Sequence, residues 1–486
     1  MNQNLQSLPL SSEQEENRKA NWIANRFFLL AVIFGLILIF LEPPFVGPDE
    51  NAHFVNICRI SRGGLFADVE DGKIGCYISD EELNYLLQYG GYYNGESNPL
   101  RFSYQTMRGL SLIQPSDNMV FFATEHATLN PTPYLLAASF VAMMRAILGG
   151  VNAYHVMLYS KLINLVFYAL VIRWALRKTG AFRKTMFLMA LMPMAIFQGA
   201  STSYDATLIP AAFLLFAYVT KILTAGSDYR ITREDLIAVC FSCGLIFGVK
   251  VAYVPLVLIL LSIGLKQFGG WKRWGICVGA VAGMGVVFYL IPNVVMSMIT
   301  SAYVPPQTEM QLAQKAFFAE NWTLFPKIIW DTVKTFGKHW CREFIGVLGW
   351  LDVHFPEPFT YLFMLILGYN ILLDACQIKG ISRKTRLLSP AGVVIFFVGT
   401  IYTMYMAWNP VLTGLVGGTV AYGGQGRYFI PVALFVLLAF SNGLSYKLPG
   451  VIRERLYGCF RTRLIEVTAV VSLCCTVLLI MARYWM

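Results

Sequence analysis

Residues 27–50 read FFLLAVIFGLILIFLEPPFVGPDE, and this stretch decides the fold of the chain. Its apolar part, 27–46, is long enough to cross a bilayer, since about 20 apolar residues span the hydrocarbon core. No small-residue cleavage site follows it, so we interpret it as a permanent anchor and not as a removable signal peptide. Two consecutive prolines then end the helix, and the chain presents Asp49 and Glu50 just beyond the membrane.

The composition of the whole chain shares this apolar character. Of its 486 residues, 56% are hydrophobic and 14% are charged, whereas ordinary globular proteins have about 45–50% and about 25%. This composition excludes a soluble enzyme. The 38 basic and 28 acidic residues, with a net charge of +10, are segregated between loops and are not pooled on one face, which excludes a disordered or nucleic-acid-binding chain.

Further apolar runs predict an all-α polytopic membrane protein with about eleven transmembrane helices, in a range of about 9–12. The predicted spans are 27–46, 156–176, 185–200, 206–223, 236–249, 252–266, 273–292, 358–373, 388–408, 428–446 and 464–483. Residues 132–148 are apolar too, but Pro133 and Arg145 interrupt them. We expect an interfacial or re-entrant segment there.

Short loops rich in Lys and Arg indicate the cytoplasmic side of a membrane protein. Four such loops are 173–184, 266–273, 379–386 and 447–463. The long loops between the other span ends are therefore expected outside, with short helices in them: 47–131, 293–358 and 408–428. The tail 1–25 is expected in the cytoplasm, and residues 26–486 are expected to form a single membrane domain.

The first outer loop begins with two adjacent acids. Pro48 sits where a new helix can start, and a short helix over 51–60 would place His53 one turn from Asp49 and Glu50. The acids are open to a modest interpretation, in which they only complement the helix dipole. Carboxylates at the edge of the hydrocarbon are costly to desolvate, however, and such groups are usually functional. We interpret Asp49 or Glu50 as a general base toward a hydroxyl group.

A second motif, YGGQGRYFIP, occupies residues 422–431 and leads from the third outer loop into a membrane helix. Glycines let the backbone approach a ligand closely, and the planar fork of Arg427 suits a phosphate. We assign phosphate binding to Arg427 together with Gln425 and Tyr428, and Lys250 is a candidate second cation. The alternatives are a snorkelling interfacial arginine at 427 and, for Lys250, a position unrelated to the site.

Weaker candidates have supporting or acceptor-side roles. They are His53, Glu42, Asp205, Asp352 and His126. Each has a structural alternative: Asp205 as a helix cap, Asp352 as a solvated loop residue and His126 as part of a polar collar. No spacing of His or Cys predicts a metal site, and Cys58 with Cys76 would form a disulfide only if their loop is extracytoplasmic.

The order of three motifs, PDE at 48–50, PTPYLL at 131–136 and QGRYFIP at 425–431, resembles polytopic glycosyltransferases of the GT-C architecture. The whole chain is similar to the serotype-converting O-antigen glucosyltransferases that temperate phages of enteric bacteria encode, type II among them. One departure is that Asn130-Pro131-Thr132-Pro133 stands where family members have His-Pro-Pro. A catalytic role for a histidine at that point is therefore not carried over.

The resemblance implies a GT-C-like membrane domain in the bacterial inner membrane with a periplasmic active site that modifies lipopolysaccharide. It implies undecaprenyl-phosphate glucose as the donor and lipid-linked O-antigen as the acceptor, with a donor-lipid flippase and a donor synthase as functional links. In that family the catalytic acid lies just beyond the first helix, which maps to Asp49 and Glu50. No cofactor or metal is required, although these two residues would be the ligands of a divalent cation if one took part.

Two other classes remain open for such a sequence. A transporter or flippase of lipid-linked sugars also needs many helices and outward cations, but it predicts repeated units and short loops. An O-antigen polymerase or ligase would rely on arginine-rich outer loops and not on a carboxylate pair.

Overall fold

The computed structural model describes residues 12–95, 97–301, 303 and 308–486, and it confirms an all-α polytopic membrane protein. The helices are α1 (Ser12–Leu41), α2 (Glu50–Ser61), α3 (Asp80–Tyr89), α4 (Tyr104–Ser111), α5 (Leu135–Leu148), α6 (Ala153–Lys178), α7 (Arg183–Ala190), α8 (Pro193–Gly199), α9 (Asp205–Thr224), α10 (Arg233–Val249), α11 (Leu265–Phe268), α12 (Trp271–Gly285), α13 (Ile291–Ile299), α14 (Thr308–Glu320), α15 (Phe325–Gly346), α16 (Glu357–Gln377), α17 (Arg383–Thr403), α18 (Asn409–Thr413), α19 (Ile430–Leu437), α20 (Gly450–Tyr457) and α21 (Cys459–Tyr484).

Short 3₁₀ and π segments connect or extend these helices. The 3₁₀ segments are Glu125–Thr128, Thr132–Tyr134, Val251–Ser262, Trp322–Leu324, Gly426–Phe429, Leu438–Phe440 and Leu444–Lys447, and the π segments are Val286–Leu290 and Met404–Trp408. The strands are β1 (Asp68–Glu70), β2 (Lys73–Ser79), β3 (Met119–Ala123), β4 (Val347–Leu348) and β5 (Val353–His354).

Seven helices of the described part of the chain are long and apolar enough to cross a membrane: Gln14–Leu41, Ala153–Lys178, Asp205–Thr224, Trp271–Ile299, Glu357–Gln377, Arg383–Thr413 and Gly450–Tyr484. The sequence predicts about eleven spans, and the remaining predicted spans are shorter or interrupted. Residues 185–200 divide into α7 and α8 at Pro193, and 252–266 contains a 3₁₀ helix around Pro255. Proline causes such breaks because it lacks the N–H that the helix needs.

Helix α1 begins earlier than the apolar pattern suggests. It starts at Ser12, so the polar residues 12–25 continue the apolar helix as one element of 30 residues. The remainder of the predicted tail, residues 1–11, lies outside the described residues.

The bundle has two polar ends, as expected for helices that cross a membrane in alternating directions. Buried or half-buried ion pairs join α6 to α10 (Lys178–Glu234, 2.7 Å), α9 to α10 (Lys221–Asp235, 2.7 Å) and α16 to α21 (Asp374–Arg461, 2.7 Å). All three lie beside the predicted inner loops. The end of α1, the starts of α6 and α9 and the end of α10 meet at the opposite end, where the candidate site lies.

The loop 47–131 folds into helices and a sheet at this second end. Strands β1, β2 and β3 form an antiparallel sheet in that order, with Cys76 paired to Phe122. The buried Glu82 of α3 pairs with Arg62 at 3.1 Å and with Arg145 of α5, which ties the loop to the bundle. Cys58 and Cys76 are both buried and are not bonded to each other.

Candidate active site

The carboxylate of Asp49 lies at the mouth of the bundle in a strained turn. Residues 42–49 leave α1 and enter α2 through two left-handed positions, Phe45 (φ 60°) and Asp49 (φ 63°). Non-glycine residues rarely adopt this conformation, and their presence at a site often accompanies function. Asp49 occupies the N-cap position of α2, but its side chain makes no capping hydrogen bond. The carboxylate instead points across the bundle mouth, and 51% of its side-chain surface is exposed.

Arg427 reaches Asp49 from the other end of the sequence. Its Nη2 lies 2.8 Å from Oδ2 of Asp49, and its Nη1 lies 3.7 Å from Oδ2 of Asp205. Nη1 also donates a hydrogen bond to Oε1 of Gln198 at 3.4 Å. The side chain is 2% exposed, so it does not extend to the surface as a snorkelling arginine would. The guanidinium is a buried cation held between two carboxylates.

Lys250 provides a second cation at the end of α10. Its Nζ lies 4.3 Å from the ring centroid of Tyr428 and 6.0 Å from that of Tyr204, in cation–π contact. It forms no ion pair with a described residue. Burial lowers the pKa of Lys250, whereas Asp205 and Asp49 favour its charged form, and its ammonium group lies over aromatic faces without an ion pair to a described carboxylate.

Glu50 has a different environment from its neighbour Asp49. It is fully buried, and its Oε1 lies 3.1 Å from Nζ of Lys161 on α6. Oε2 of Glu42 lies 3.1 Å from the same Nζ. Burial raises the pKa of Glu42 to about 8, although Lys161 acts against the shift. Glu50 also accepts hydrogen bonds from the backbone N–H of Gly47 (3.1 Å) and of Thr202 (3.3 Å). Of the acids at 49 and 50, only Asp49 is open to a substrate.

His53 lies beneath the Asp49 turn as a neutral side chain. It is 2% exposed, and its Nδ1 lies 2.7 Å from the hydroxyl of Tyr134. Its ring contacts that of Tyr204 edge to face, with centroids 4.8 Å apart. Burial lowers the pKa of His53 to about 3, against the opposing effect of Asp49. The imidazole is thus uncharged at neutral pH and supports the turn.

The other predicted residues divide between the site and its surroundings. Asp205 is the first residue of α9, and its side chain faces Arg427 without capping the helix. Gln425 lies in the turn before Arg427, where its carbonyl accepts from the N–H of Tyr428 at 3.1 Å. His126 is exposed, and its carbonyl accepts from Asn56 on α2.

Asp352 is the predicted residue that lies apart from the site. Its Oδ2 is 3.1 Å from Nη2 of Arg483, and its Oδ1 accepts from the Tyr484 hydroxyl at 3.2 Å, at the end of α21. It is buried and not solvated.

Sequence reasoning missed two side chains of the site, Gln198 and Tyr134. Gln198 is the single amide in the buried apolar helix α8, and a lone polar residue in such a helix is a signal that could have identified it. Tyr134 belongs to the PTPYLL motif and contacts His53, but its role depends on a fold that brings α2 and α5 together.

An apolar cavity of about 490 Å³ lies along α10, which ends just before Lys250. It lies between α10, the 3₁₀ helix Val251–Ser262, α12 and α17, and almost all of its lining is hydrocarbon. Phe247 and Val254, three residues before and four after Lys250, both line it. On α10 the lining runs from Asp235 to Phe247, a length of about 18 Å along the helix. Lys250 does not line the cavity, but it follows the lining residue Phe247 by three positions, so the cation lies near this end of the apolar lining.

A family model described as "Predicted membrane protein (DUF2142)" matches residues 32–436. The chain belongs to this family. The matched region of this DUF2142 protein contains Asp49, Asp205, Lys250 and Arg427. No curated protein and no solved structure matches the chain. Within the described residues, no group of three or more His, Cys, Asp or Glu side chains could hold a metal ion.

Proposed function

We propose that this protein is a glycosyltransferase that moves a sugar from a polyprenyl-phosphate donor to a hydroxyl group on the outer face of the membrane. The observation that carries the proposal is a half-exposed carboxylate, Asp49, held 2.8 Å from the buried cation Arg427 at the mouth of a membrane bundle. A base beside a phosphate-binding cation is what glycosyl transfer from a lipid phosphate requires.

The proposed base is Asp49. Its carboxylate accepts the proton of the acceptor hydroxyl while the hydroxyl oxygen forms a bond to the anomeric carbon. The bond between that carbon and the phosphate oxygen breaks, and its electron pair stays on the phosphate. Attack from the opposite face inverts the anomeric centre, so a β-linked donor gives an α-linked product. Glu50, which is buried against Lys161, is a structural residue in this scheme.

The proposed phosphate ligands are Arg427 and Lys250. Negative charge accumulates on the leaving phosphate, and cations already in place stabilise it without reorganisation. Tyr428 lies in the same 3₁₀ turn as Arg427, and Gln425 precedes that turn. The ring of Tyr428 also contacts the ammonium group of Lys250, so both residues belong to the proposed phosphate site. The donor has one phosphate group, bonded to the lipid and to the sugar, and it carries less charge than a diphosphate. The scheme therefore uses these two side chains and needs no metal.

The proposed position of the donor tail is the apolar cavity beside Lys250. Its hydrocarbon lining suits a polyprenyl chain, and its residues Phe247 and Val254 flank the cation that would meet the phosphate. A lipid in this cavity would thus bring its headgroup to Arg427 and Asp49.

The finer assignment follows the resemblance of the PDE and QGRYFIP motifs. The donor is undecaprenyl-phosphate glucose, the acceptor is lipid-linked O-antigen, and the reaction takes place in the periplasm of a bacterial cell. A donor synthase and a flippase would supply the lipid. Addition of glucose to O-antigen would change its serotype.

Purified protein in nanodiscs, given radiolabelled undecaprenyl-phosphate glucose and lipid-linked O-antigen, tests the proposal. We expect label to move to the acceptor with the wild-type protein and not with Asp49→Asn. A transporter would instead move the labelled lipid between leaflets of a vesicle without forming a glycosidic bond. A polymerase or ligase would change the length or the carrier of the O-antigen and leave the labelled glucose on its lipid. Either of these results would contradict the proposal.

A further inference from the structure

We infer that Glu343 on α15 is a positioning residue that fixes the turn carrying Arg427. This inference rests on the proposed function, because it concerns how the phosphate-binding cation is held. Glu343 lies in the outer loop 293–358, far from both motifs in sequence, and only 2% of its side chain is exposed.

The carboxylate of Glu343 binds the turn directly. Its Oε2 accepts a hydrogen bond from the backbone N–H of Gly426, the residue that precedes Arg427. Its Oε1 lies 2.8 Å from Nε2 of His339, one helical turn earlier on α15. One oxygen is therefore committed to the turn, and the other is held by its own helix, which fixes the rotamer of the side chain.

Helix α15 and the turn also approach each other closely. A Cβ added to Gly426 would collide with the carbonyl oxygen of Trp340 and with the Cβ of Glu343. Nε1 of Trp340 donates a hydrogen bond to the carbonyl oxygen of Gly424 at 2.9 Å. Two side chains of α15 thus hold the backbone on either side of Gln425, and the absence of a side chain at 426 allows the contact.

Charge neutralisation does not explain Glu343. Arg427 already has Asp49 at 2.8 Å and Asp205 at 3.7 Å, so a third acid is not needed to balance it. Burial raises the pKa of Glu343, and the Gly426 N–H, His339 and Arg427 favour its ionised form. What the carboxylate supplies is a fixed acceptor for the N–H of Gly426. A displacement of about 1 Å in such a turn is enough to impair a reaction by about 100-fold.

The test measures binding of dodecyl phosphate to the full-length protein in nanodiscs, together with transfer kinetics. We expect Glu343→Ala to weaken binding by about tenfold, the loss typical of one charge-assisted hydrogen bond. The KM for the donor should rise more than kcat falls. Glu343→Gln keeps the size and one carbonyl oxygen, so we expect a smaller loss of about threefold. Asp331→Asn on the same helix, whose side chain pairs with no described residue, is the matched control and should bind as the wild type does.

A double-mutant cycle with Arg427→Ala separates positioning from a general structural role. If Glu343 acts through Arg427, the double variant should bind dodecyl phosphate as weakly as Arg427→Ala alone. Additive losses, or normal binding by Glu343→Ala with only a lower Tm, would overturn the inference and leave the proposed function standing. Wild-type protein that does not bind dodecyl phosphate at all would contradict both. If Glu343→Ala does not fold, the cycle is made with Glu343→Gln, and the same comparison decides.

Discussion

Nη2 of Arg427 lies 2.8 Å from Oδ2 of Asp49, although 378 positions separate the two residues in the chain. The contact joins the turn before α2 to the turn before α19 and places an acid and a cation at one point. A phosphate that binds Arg427 must compete with Asp49 for the guanidinium. In the mechanism we propose, donor binding would therefore release the carboxylate of Asp49 for its role as the base.

The guanidinium fork of Arg427 should be essential for the donor. Arg427→Lys keeps the charge but removes the planar fork, in which Nη2 contacts Asp49 while Nη1 faces Asp205 and Gln198. We expect the KM for polyprenyl-phosphate glucose to rise at least about tenfold, the equivalent of about 1.4 kcal/mol. Steady-state kinetics at varied donor concentration measure this, with Arg101→Lys on the exposed loop surface as the control. An unchanged KM would remove Arg427 from the phosphate site.

Lys250 should contribute through its charge. Lys250→Met removes the cation while keeping most of the apolar stem over Tyr428, so donor use should fall with little loss of stability. A partly buried charge is screened less than an exposed one, so we expect the difference in donor use between the wild type and the variant to persist between about 50 and 200 mM salt. Lys272→Met, an exposed lysine on α12, is the control. Equal donor use by Lys250→Met and the wild type would contradict the assignment.

Lys161 should determine stability and not chemistry. It is the shared partner of Glu42 and Glu50, and removal of one member of a buried ion group typically costs about 3–5 kcal/mol. We expect Lys161→Met to lower the Tm in detergent more than Lys221→Met, because the side chain of Lys221 is 24% exposed at the opposite end of the bundle and that of Lys161 is 3% exposed. A Tm equal to that of the wild type would show that the buried acids need no cation.

The pH dependence of stability should carry a contribution from Glu42. Its pKa is about 8 in the folded protein and near its ordinary value of 4.5 when unfolded. Between those values the unfolded chain loses the proton that the folded protein keeps, so stability falls as pH rises from about 4.5 to 8. Glu42→Gln mimics the protonated form and should gain Tm relative to the wild type as pH rises from 5 to 8. Parallel Tm profiles would contradict this.

The sequence predicted which motifs meet, because the topology places their helix ends at the same end of the bundle. Asp49 follows the end of α1 and Arg427 precedes the start of α19, so alternating crossings predict both residues at the same end of the bundle. The same alternation predicts that Lys250 and Asp205 lie at that end, with a helix cap as the alternative role of Asp205. These assignments needed only the apolar pattern and the distribution of Lys and Arg.

The roles of adjacent or buried residues could not be predicted. Asp49 and Glu50 are neighbours, and only the left-handed turn at 49 and the position of Lys161 show that one faces out and the other in. Glu42 meets Lys161 across 119 positions, and Asp352 meets Arg483 on the last helix. Partners so far apart leave no periodic signal, because their contact depends on how whole helices pack.

The interrupted helices were also beyond a hydropathy argument. Residues 185–200 have the composition of a span, but they divide between the short helices α7 and α8 and are all buried. An apolar run therefore predicts that a segment is buried, but it does not distinguish a segment covered by lipid from one covered by protein. Gln198 was missed for the same reason, since it lies in a segment that the pattern assigns to lipid.

Transfer by Asp49→Asn tests the central claim most directly. The change keeps the size of the side chain and its position beside Arg427, but it removes the proton acceptor. Glu50→Gln, one residue away and buried against Lys161, is the matched comparison. With equal amounts of folded protein in nanodiscs, we expect glucosyl transfer by Asp49→Asn to fall by about 10²–10⁴-fold, the contribution of a general base, while Glu50→Gln keeps transfer within about tenfold of the wild type. Near-normal transfer by Asp49→Asn would contradict the account.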